Sequence, residues 1–139
     1  MKVKNITKAW LQKQGACVEA IEAWADEKDH TTVATLRRLT KRNQLEWANW
    51  LIVRIMTRDQ YLRYAIYAAK QVLHLYEKQY PDDKRPREAI RAAERCLKSN
   101  TQKNKAAAWA AWAAAWAVAG DAMMKRILRY GINILDKER

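Results

Sequence analysis

The stretch that decides the fold is Thr57–Tyr80, TRDQYLRYAIYAAKQVLHLYEKQY. Thr57 followed by Gln60 three residues later is the pattern of a capping box at a helix start. Pro81 predicts the end of the helix, because the residue before a proline is pushed out of the α region. The apolar positions fill an arc about 200° wide, roughly twice what a surface helix needs. The sequence therefore predicts a central helix of about six turns with other helices on two sides.

The rest of the chain predicts an all-α fold. Its 139 residues include only three Gly, two Pro and a single Ser, so little turn chemistry is present for a β fold. Phe is absent, and seven Trp with six Tyr supply the large side chains. A chain of this length normally forms one domain and buries about two-thirds of its unfolded surface. We expect a single compact helical domain of five to seven helices that spans residues 1–139.

Composition divides the chain into a basic N-terminal segment, a helical core, a polar linker and a long Ala/Trp-rich C-terminal helix, at residues 1–14, 15–98, 99–105 and 106–136. In the last segment Trp and aliphatic residues recur on one stripe for about seven turns. Gly120 and Gly131 weaken this helix without necessarily breaking it. The stripe predicts packing across the central helix, and a homo-oligomer seam is the alternative. Its Ala/Trp run is too short and too weakly apolar to cross a bilayer, so we expect no membrane partner.

The net charge of +12 indicates what kind of partner the protein attracts rather than how it folds. An acidic protein, an anionic nucleotide or nucleic acid would be attracted, although Lys-rich helix surfaces also serve solubility alone. Cys17 and Cys96 have neither CxxC spacing nor His neighbours, and they are expected as buried free thiols in a reducing compartment. No charged region followed by an apolar region opens the chain, which favours a cytoplasmic protein.

Motifs for catalysis are absent. The chain has His30, His74, one Ser and two separated cysteines, and it shows no phosphate-binding glycine loop, no HExxH and no zinc spacing. We expect a binding protein rather than an enzyme, with no cofactor and no metal.

One helix is apolar on nearly every side and yet contains Arg54. Trp47, Trp50, Arg54 and Arg58 fall on one line at i, i+3, i+7 and i+11. A guanidinium stacked on an indole gains about 0.5–2 kcal/mol, whereas a buried arginine without a partner would cost several kcal/mol. The partner is either an anionic ligand or an internal carboxylate, for which the candidates are Glu19, Glu22 and Asp59. The same alternatives apply to Arg63 on the central helix.

Donors that are held on rigid helices bind anions at a lower entropic cost than flexible lysines. Arginines on helices, with aromatic and basic neighbours, are therefore the candidate ligand-binding residues: Trp47, Trp50, Arg54, Arg58, Arg63, Tyr64, Tyr67, Lys70, His74, Arg85 and Arg87. Arg85 and Arg87 bracket a helix start, where free N–H groups favour anions. Asp82 and Asp83 offer the competing structural explanation, because either can cap that helix.

Sequence-specific DNA binding is not indicated. The basic stretch LRRLTKRNQLEWANWL at 36–51 resembles a pair of helices, but the second is too apolar to lie in a groove. Non-specific binding of nucleic acid remains possible from charge alone.

Three stretches together resemble a known family: GACVEAIEAWA at 15–25, WANWLIVRIMTRDQYLRYAIYAAKQVL at 47–73 and YPDDKRPREAIRAAE at 80–94. They are similar to the immunity protein five-like family, small all-helical proteins of bacteria and phages with Ala-rich C-terminal halves. The run from Arg85 to Ile90 is the most specific part. The resemblance implies a non-enzymatic inhibitor that neutralises a toxin or a defence component by binding. Immunity proteins against basic nucleases are often acidic, and the basic charge of this chain argues against mimicry of nucleic acid.

Two mechanisms follow from this reading. In the first, the protein is a stoichiometric inhibitor of an acidic protein partner. In the second, it is a phage sponge that sequesters an anionic nucleotide immune signal in basic aromatic pockets, as a symmetric oligomer. The family favours the first.

Overall fold

The structure is a computed structural model that describes residues 1–98 apart from the side chain of Cys96, together with Ala106, Ala110, Trp116 and 119–139. These residues form seven α-helices and no strand, which confirms the all-α prediction. The helices are α1 (Lys8–Lys13), α2 (Val18–Ala25), α3 (Thr32–Lys41), α4 (Leu45–Ile55), α5 (Arg58–Gln79), α6 (Arg85–Lys98) and α7 (Asp121–Lys137). An isolated bridge between Asn5 and Thr31 ties the N-terminal segment to the start of α3.

Helix α5 lies at the centre of the described fold, as its sequence predicts. Its capping box is formed: Thr57 Oγ1 accepts from the Gln60 backbone N–H at 3.3 Å, and Gln60 Oε1 accepts from the Thr57 backbone N–H at 2.9 Å. Tyr64, Ala65 and Ala68 in its first half are completely buried. Helices α6 and α7 both pack against α5, so the wide apolar arc is covered from two sides.

Helix α7 packs against α3, α4 and α5. The closest approach is at Gly131, where an added Cβ would lie 2.7 Å from Ile52 Cδ1 and 2.9 Å from ring carbons of Tyr64. A glycine fits here because the buried side chains of Ile52 and Tyr64 leave no room for a Cβ. The preceding residue, Tyr130, stacks on Tyr67 of α5 with ring centroids 3.9 Å apart. The C-terminal part of the predicted stripe therefore packs into the core.

The predicted continuous helix over 106–136 has a different boundary in the structure. Ala119 and Gly120 are not helical, and Gly120 has an extended backbone with φ −80° and ψ 172° as the N-cap of α7. Glycine loses the most backbone entropy in a helix, and Asp121 in the first turn suits the positive end of the helix dipole. The chain therefore starts a new helix at Asp121. The predicted linker 99–105 and most of 106–118 lie outside the described residues.

Helix α2 lies at the edge of the fold, although its sequence carries several apolar residues. It has no buried residue, and Val18 is 70% exposed. Cys17, which was expected as a buried thiol, is an exposed free cysteine at the N-cap. Only Ile21 and Trp24 pack against the core from this helix. Helix α2 thus lies at the periphery of the fold, and its acidic residues Glu19 and Glu22 are exposed. None of the seven described helices combines the length and the apolar character of a membrane span.

Candidate functional site

The residues that the sequence singles out do not gather in one place. Tyr64 is completely buried in the core, where its hydroxyl donates a long 3.5 Å hydrogen bond to Asn49 Oδ1 and burial raises its pKa. Tyr67 is stacked on Tyr130 between α5 and α7. Lys70 lies 3.6 Å from Glu94 of α6, and His74 is exposed.

Arg63 is tied to the C-terminal end of the chain. Its two terminal nitrogens donate to the two carboxylate oxygens of Glu138, each at 2.8 Å. This hydrogen bonding raises the pKa of Arg63 and lowers the pKa of Glu138. The candidate partners named from the sequence were Glu19, Glu22 and Asp59, so the internal ion pair is present but with a different carboxylate. Arg58 does pair with Asp59, at 2.9 Å.

The two arginines at the start of α6 hold the turn between α5 and α6. Arg85 Nη2 lies 2.6 Å from Asp83 Oδ2, and the Asp83 carboxylate also accepts from the Arg85 backbone N–H at 3.0 Å. The Tyr76 hydroxyl donates to the same carboxylate at 2.6 Å. These bonds hold the pKa of Asp83 well below its usual range. Arg87 bonds Glu77 of α5 at 2.6 Å. Carboxylates of the chain itself thus occupy both arginines. Asp83 was named in the structural alternative weighed from the sequence, and Glu77 was not.

Trp47, Trp50 and Arg54 remain together, in a cleft between α2, α3 and α4. The cleft has a volume of about 600 Å³. Its walls are mostly apolar and aromatic, and we call it the Trp-lined cleft, after Trp24, Trp47, Trp50, Leu39, Val53 and Arg54. The line of residues along α4 was visible in the sequence. Trp24 and Leu39 were not identified as members of a site, because they come from helices that only folding brings beside α4.

The contacts that hold Arg54 in place involve Trp50 and no carboxylate among the described residues. Its guanidinium carbon lies 4.1 Å from the centroid of the Trp50 ring, and Nη1 donates to the Trp50 carbonyl oxygen at 2.8 Å. No carboxylate pairs with it in the part of the chain that the structure describes. Glu19 and Glu22, which the sequence offered as internal partners, are exposed on α2. Partial burial lowers the pKa of Arg54 from its very high ordinary value, and the group stays a cation at neutral pH. Only one of its five N–H groups donates a hydrogen bond to a described residue.

The rim of the cleft is polar and nearly balanced in charge. Glu27 lies 3.5 Å from Arg38 and is also bonded to Arg42, and the hydrogen bond from Arg42 lowers the pKa of Glu27. Trp24 stacks on His30 with centroids 4.1 Å apart, and its indole Nε1 is buried with no hydrogen-bond partner among the described residues. A buried N–H without an acceptor costs free energy, so the position of Trp24 is locally unfavourable.

A second depression lies on the opposite side of α3, between α3 and α7. Its volume is about 380 Å³. We call it the basic groove, because Arg37, Lys41, Lys125 and Arg129 line it beside Ile132 and Asn133. Sequence reasoning missed these residues as a site. The i, i+4 spacing within each pair was the available signal, but nothing in the sequence pairs α3 with α7.

The described residues contain no group of His, Cys, Asp and Glu side chains that could hold a metal ion. The described residues form two candidate sites: an aromatic cleft with a cation in its wall, and a separate groove of positive charge.

Comparison with protein families identifies the chain. The model of the family described as "Imm-5 like putative immunity protein" matches residues 52–129. The match begins within α4 and ends within α7, so it includes Arg54, the central helix and two cations of the basic groove. This protein belongs to that family, as the resemblance of its sequence predicts. Membership indicates an immunity-type function and, with it, a protein partner. No curated protein and no solved structure matches the chain.

Proposed function

We propose that this protein neutralises a toxin or a bacterial defence protein in the cytoplasm by forming a stoichiometric complex with it, without catalysis, and that the Trp-lined cleft receives part of the partner. The observation that supports this most is the combination of Trp47, Trp50 and Arg54 in one open cleft. Trp and Arg are the residues most enriched where protein–protein binding energy is concentrated.

The chemistry of the cleft defines what fits it. Its indoles and aliphatic side chains match an apolar side chain, whose burial is favourable by about 1.5–3 kcal/mol. The N–H groups of Arg54 that have no partner among the described residues match a carboxylate or carbonyl oxygen beside that side chain. A hydrogen bond to a charged group contributes about 1.5–3 kcal/mol. We therefore expect a partner segment in which a large apolar residue is next to an acidic one.

The test uses toxins encoded next to genes of this family. Each is co-expressed with the protein, growth is scored, and the mass of any complex is measured by light scattering. We expect rescue of growth and a complex of fixed stoichiometry with one toxin. Arg54→Ala should weaken that complex by about 2 kcal/mol, which is roughly thirtyfold in Kd.

The matched control is Arg91→Ala, an exposed arginine on α6 without an ion pair in the described residues. It removes the same side chain far from the cleft and should leave Kd unchanged. If Arg54→Ala is folded and binds as tightly as the wild type, the cleft is not the binding site. If no toxin is neutralised or bound, the proposed function is wrong.

The alternative is a sponge for an anionic nucleotide. An indole-lined cleft of about 600 Å³ with an arginine suits a base, and stacking contributes about 1–3 kcal/mol per base. The lining argues against it, because the carboxylates of Glu27 and Glu46 belong to the same cleft and would repel phosphates. A sponge predicts a higher Tm in the presence of nucleotides and a symmetric oligomer, whereas an inhibitor predicts neither.

A further inference from the structure

The basic groove holds positive charge that the described part of the chain neutralises only in part. Of its four cations, Arg37 pairs with Asp136, whose Oδ2 is 2.9 Å from Arg37 Nη2. The same carboxylate also bonds Arg139, so its single charge is shared between two arginines. Lys41, Lys125 and Arg129 have no ion pair within the described ranges 1–98 and 119–139. A bound anion would relieve the repulsion among them.

The cations of the groove are arranged in two rows. Arg37 and Lys41 lie one turn apart on α3, and Lys125 and Arg129 lie one turn apart on α7. The two helices are held together by their own packing and by the Arg37–Asp136 bridge. Binding therefore has to order side chains but not helices, which keeps its entropic cost low.

We propose that the basic groove binds an acidic segment of the protein partner, with carboxylates spaced about one helical turn apart. This inference rests on the proposed function and adds a second contact to it. Helix α3 separates the groove from the Trp-lined cleft, since Arg37 and Lys41 line one and Arg38 and Arg42 line the other. A single partner can contact both sides of α3. The groove supplies long-range attraction and orientation, and the cleft supplies the buried anchor.

Two other occupants fit less well. Nucleic acid would gain no base stacking from the described lining of the groove, which contains no aromatic side chain. A second copy of this chain could present Glu19, Glu22 and Asp26, which are exposed on α2. However, each copy has a net charge of +12, and that charge opposes self-association. A separate acidic protein segment satisfies both the local and the overall charge.

The experiment measures the anisotropy of a fluorescein-labelled oligoglutamate peptide titrated with the full chain. The groove variant is Lys41→Ala/Arg129→Ala, in which both residues are exposed on helices. The control variant is Lys78→Ala/Arg91→Ala, which removes the same two charges from exposed positions of α5 and α6. Circular dichroism checks that both are folded. We expect the groove variant to bind the peptide about tenfold more weakly, and the control within about twofold of the wild type.

Salt provides a second measurement on the folded wild type. Raising the ionic strength from about 0.1 M to about 1 M shortens the Debye length from about 10 Å to about 3 Å, and peptide binding should be lost. Equal losses in the groove and control variants would show attraction by net charge only, and would overturn the proposal. So would binding that resists salt.

Three further outcomes also overturn it. Duplex DNA or inorganic tripolyphosphate that binds at the groove more tightly than oligoglutamate would identify a phosphate ligand. Self-association in sedimentation that both Lys41→Ala/Arg129→Ala and Glu19→Lys/Glu22→Lys abolish would identify a second copy. A toxin complex that is lost in Arg54→Ala but unchanged in the groove variant would leave the proposed function intact and refute only this contact. The peptide assay needs no toxin, so a failure of the proposed function is seen separately.

Discussion

Gly131→Ala is expected to destabilise the protein, although alanine is the better helix former. The added Cβ would lie 2.7 Å from Ile52 Cδ1 and 2.9 Å from Cδ2 and Cε2 of Tyr64. Ile52 and Tyr64 are both completely buried, so neither side chain can move into solvent to make room. Helix α7 must shift away from α4 and α5, or the core must adopt strained rotamers.

The magnitude follows from two opposing effects. Replacing glycine by alanine inside a helix gains about 1 kcal/mol. Overpacking a closed core costs about 1–3 kcal/mol, and contacts on two sides with rigid neighbours place this site in the upper part of that range. The net loss in the free energy of unfolding should be about 1–2 kcal/mol, which corresponds to a fall in Tm of about 4–8 °C.

A double-mutant cycle in urea, followed by Trp fluorescence, isolates the contact. Ile52→Val removes Cδ1 and alone should cost about 0.5–1.5 kcal/mol. In the Gly131→Ala background it also removes a clash, so the two effects should fail to add by at least about 0.5 kcal/mol. Gly120→Ala is the control, because nothing lies within 4 Å of a Cβ there. It should change stability by less than about 1 kcal/mol.

The packing of α7 is described wrongly if Gly131→Ala is as stable as the wild type and adds simply to Ile52→Val. That result would also remove the physical basis for the basic groove, one wall of which is α7.

Two further predictions concern the ion pairs. Arg63→Ala and Glu138→Gln should each lower the free energy of unfolding by about 0.5–1 kcal/mol, because the pair is partly exposed and screened. The double variant should lose no more stability than either single variant. Binding of the partner should not change in any of the three. If folded Arg63→Ala no longer binds the partner, Arg63 is a binding residue and the prediction is wrong. Acid should destabilise the fold, because pairing lowers the pKa of several carboxylates, and the stability they contribute is present above their unfolded values of 4.5 for Glu and 3.8 for Asp. This contribution to stability is lost as the pH falls through the lower pKa values that these carboxylates have in the folded state. The carboxylates concerned are those of Glu27, Glu77, Asp83, Asp136 and Glu138. A Tm that does not change between about pH 5 and pH 2 would contradict this prediction.

The central helix could be predicted from the sequence because its signals are local. The capping box of Thr57 and Gln60 spans three residues, Pro81 acts on the residue before it, and the apolar period repeats within the segment. The same reasoning failed at Gly120. Helix propensity alone leaves open whether a glycine interrupts a helix, since the outcome depends on where the following segment packs.

The candidate site was predictable only in part, for the same reason. Trp47, Trp50 and Arg54 follow one face of a single helix, so their grouping is a property of local sequence. The partner of Arg63 lies 75 residues away, and the partner of Arg37 lies 99 residues away. No spacing rule connects such residues, and the chain has enough carboxylates to offer several pairings for each arginine.

By itself, the sequence determined the all-α class, the central position of α5, the strong positive charge and the family. These depend on periodicity, composition and motif, which are properties of neighbouring residues. Only the tertiary structure decided which arginines are already paired. It also decided that Trp24 lines one cleft together with Trp47 and Trp50, and that α3 and α7 form a basic groove. The reason is that an ion pair or a cleft requires approach within about 4 Å, and the packing of distant helices decides which residues come that close.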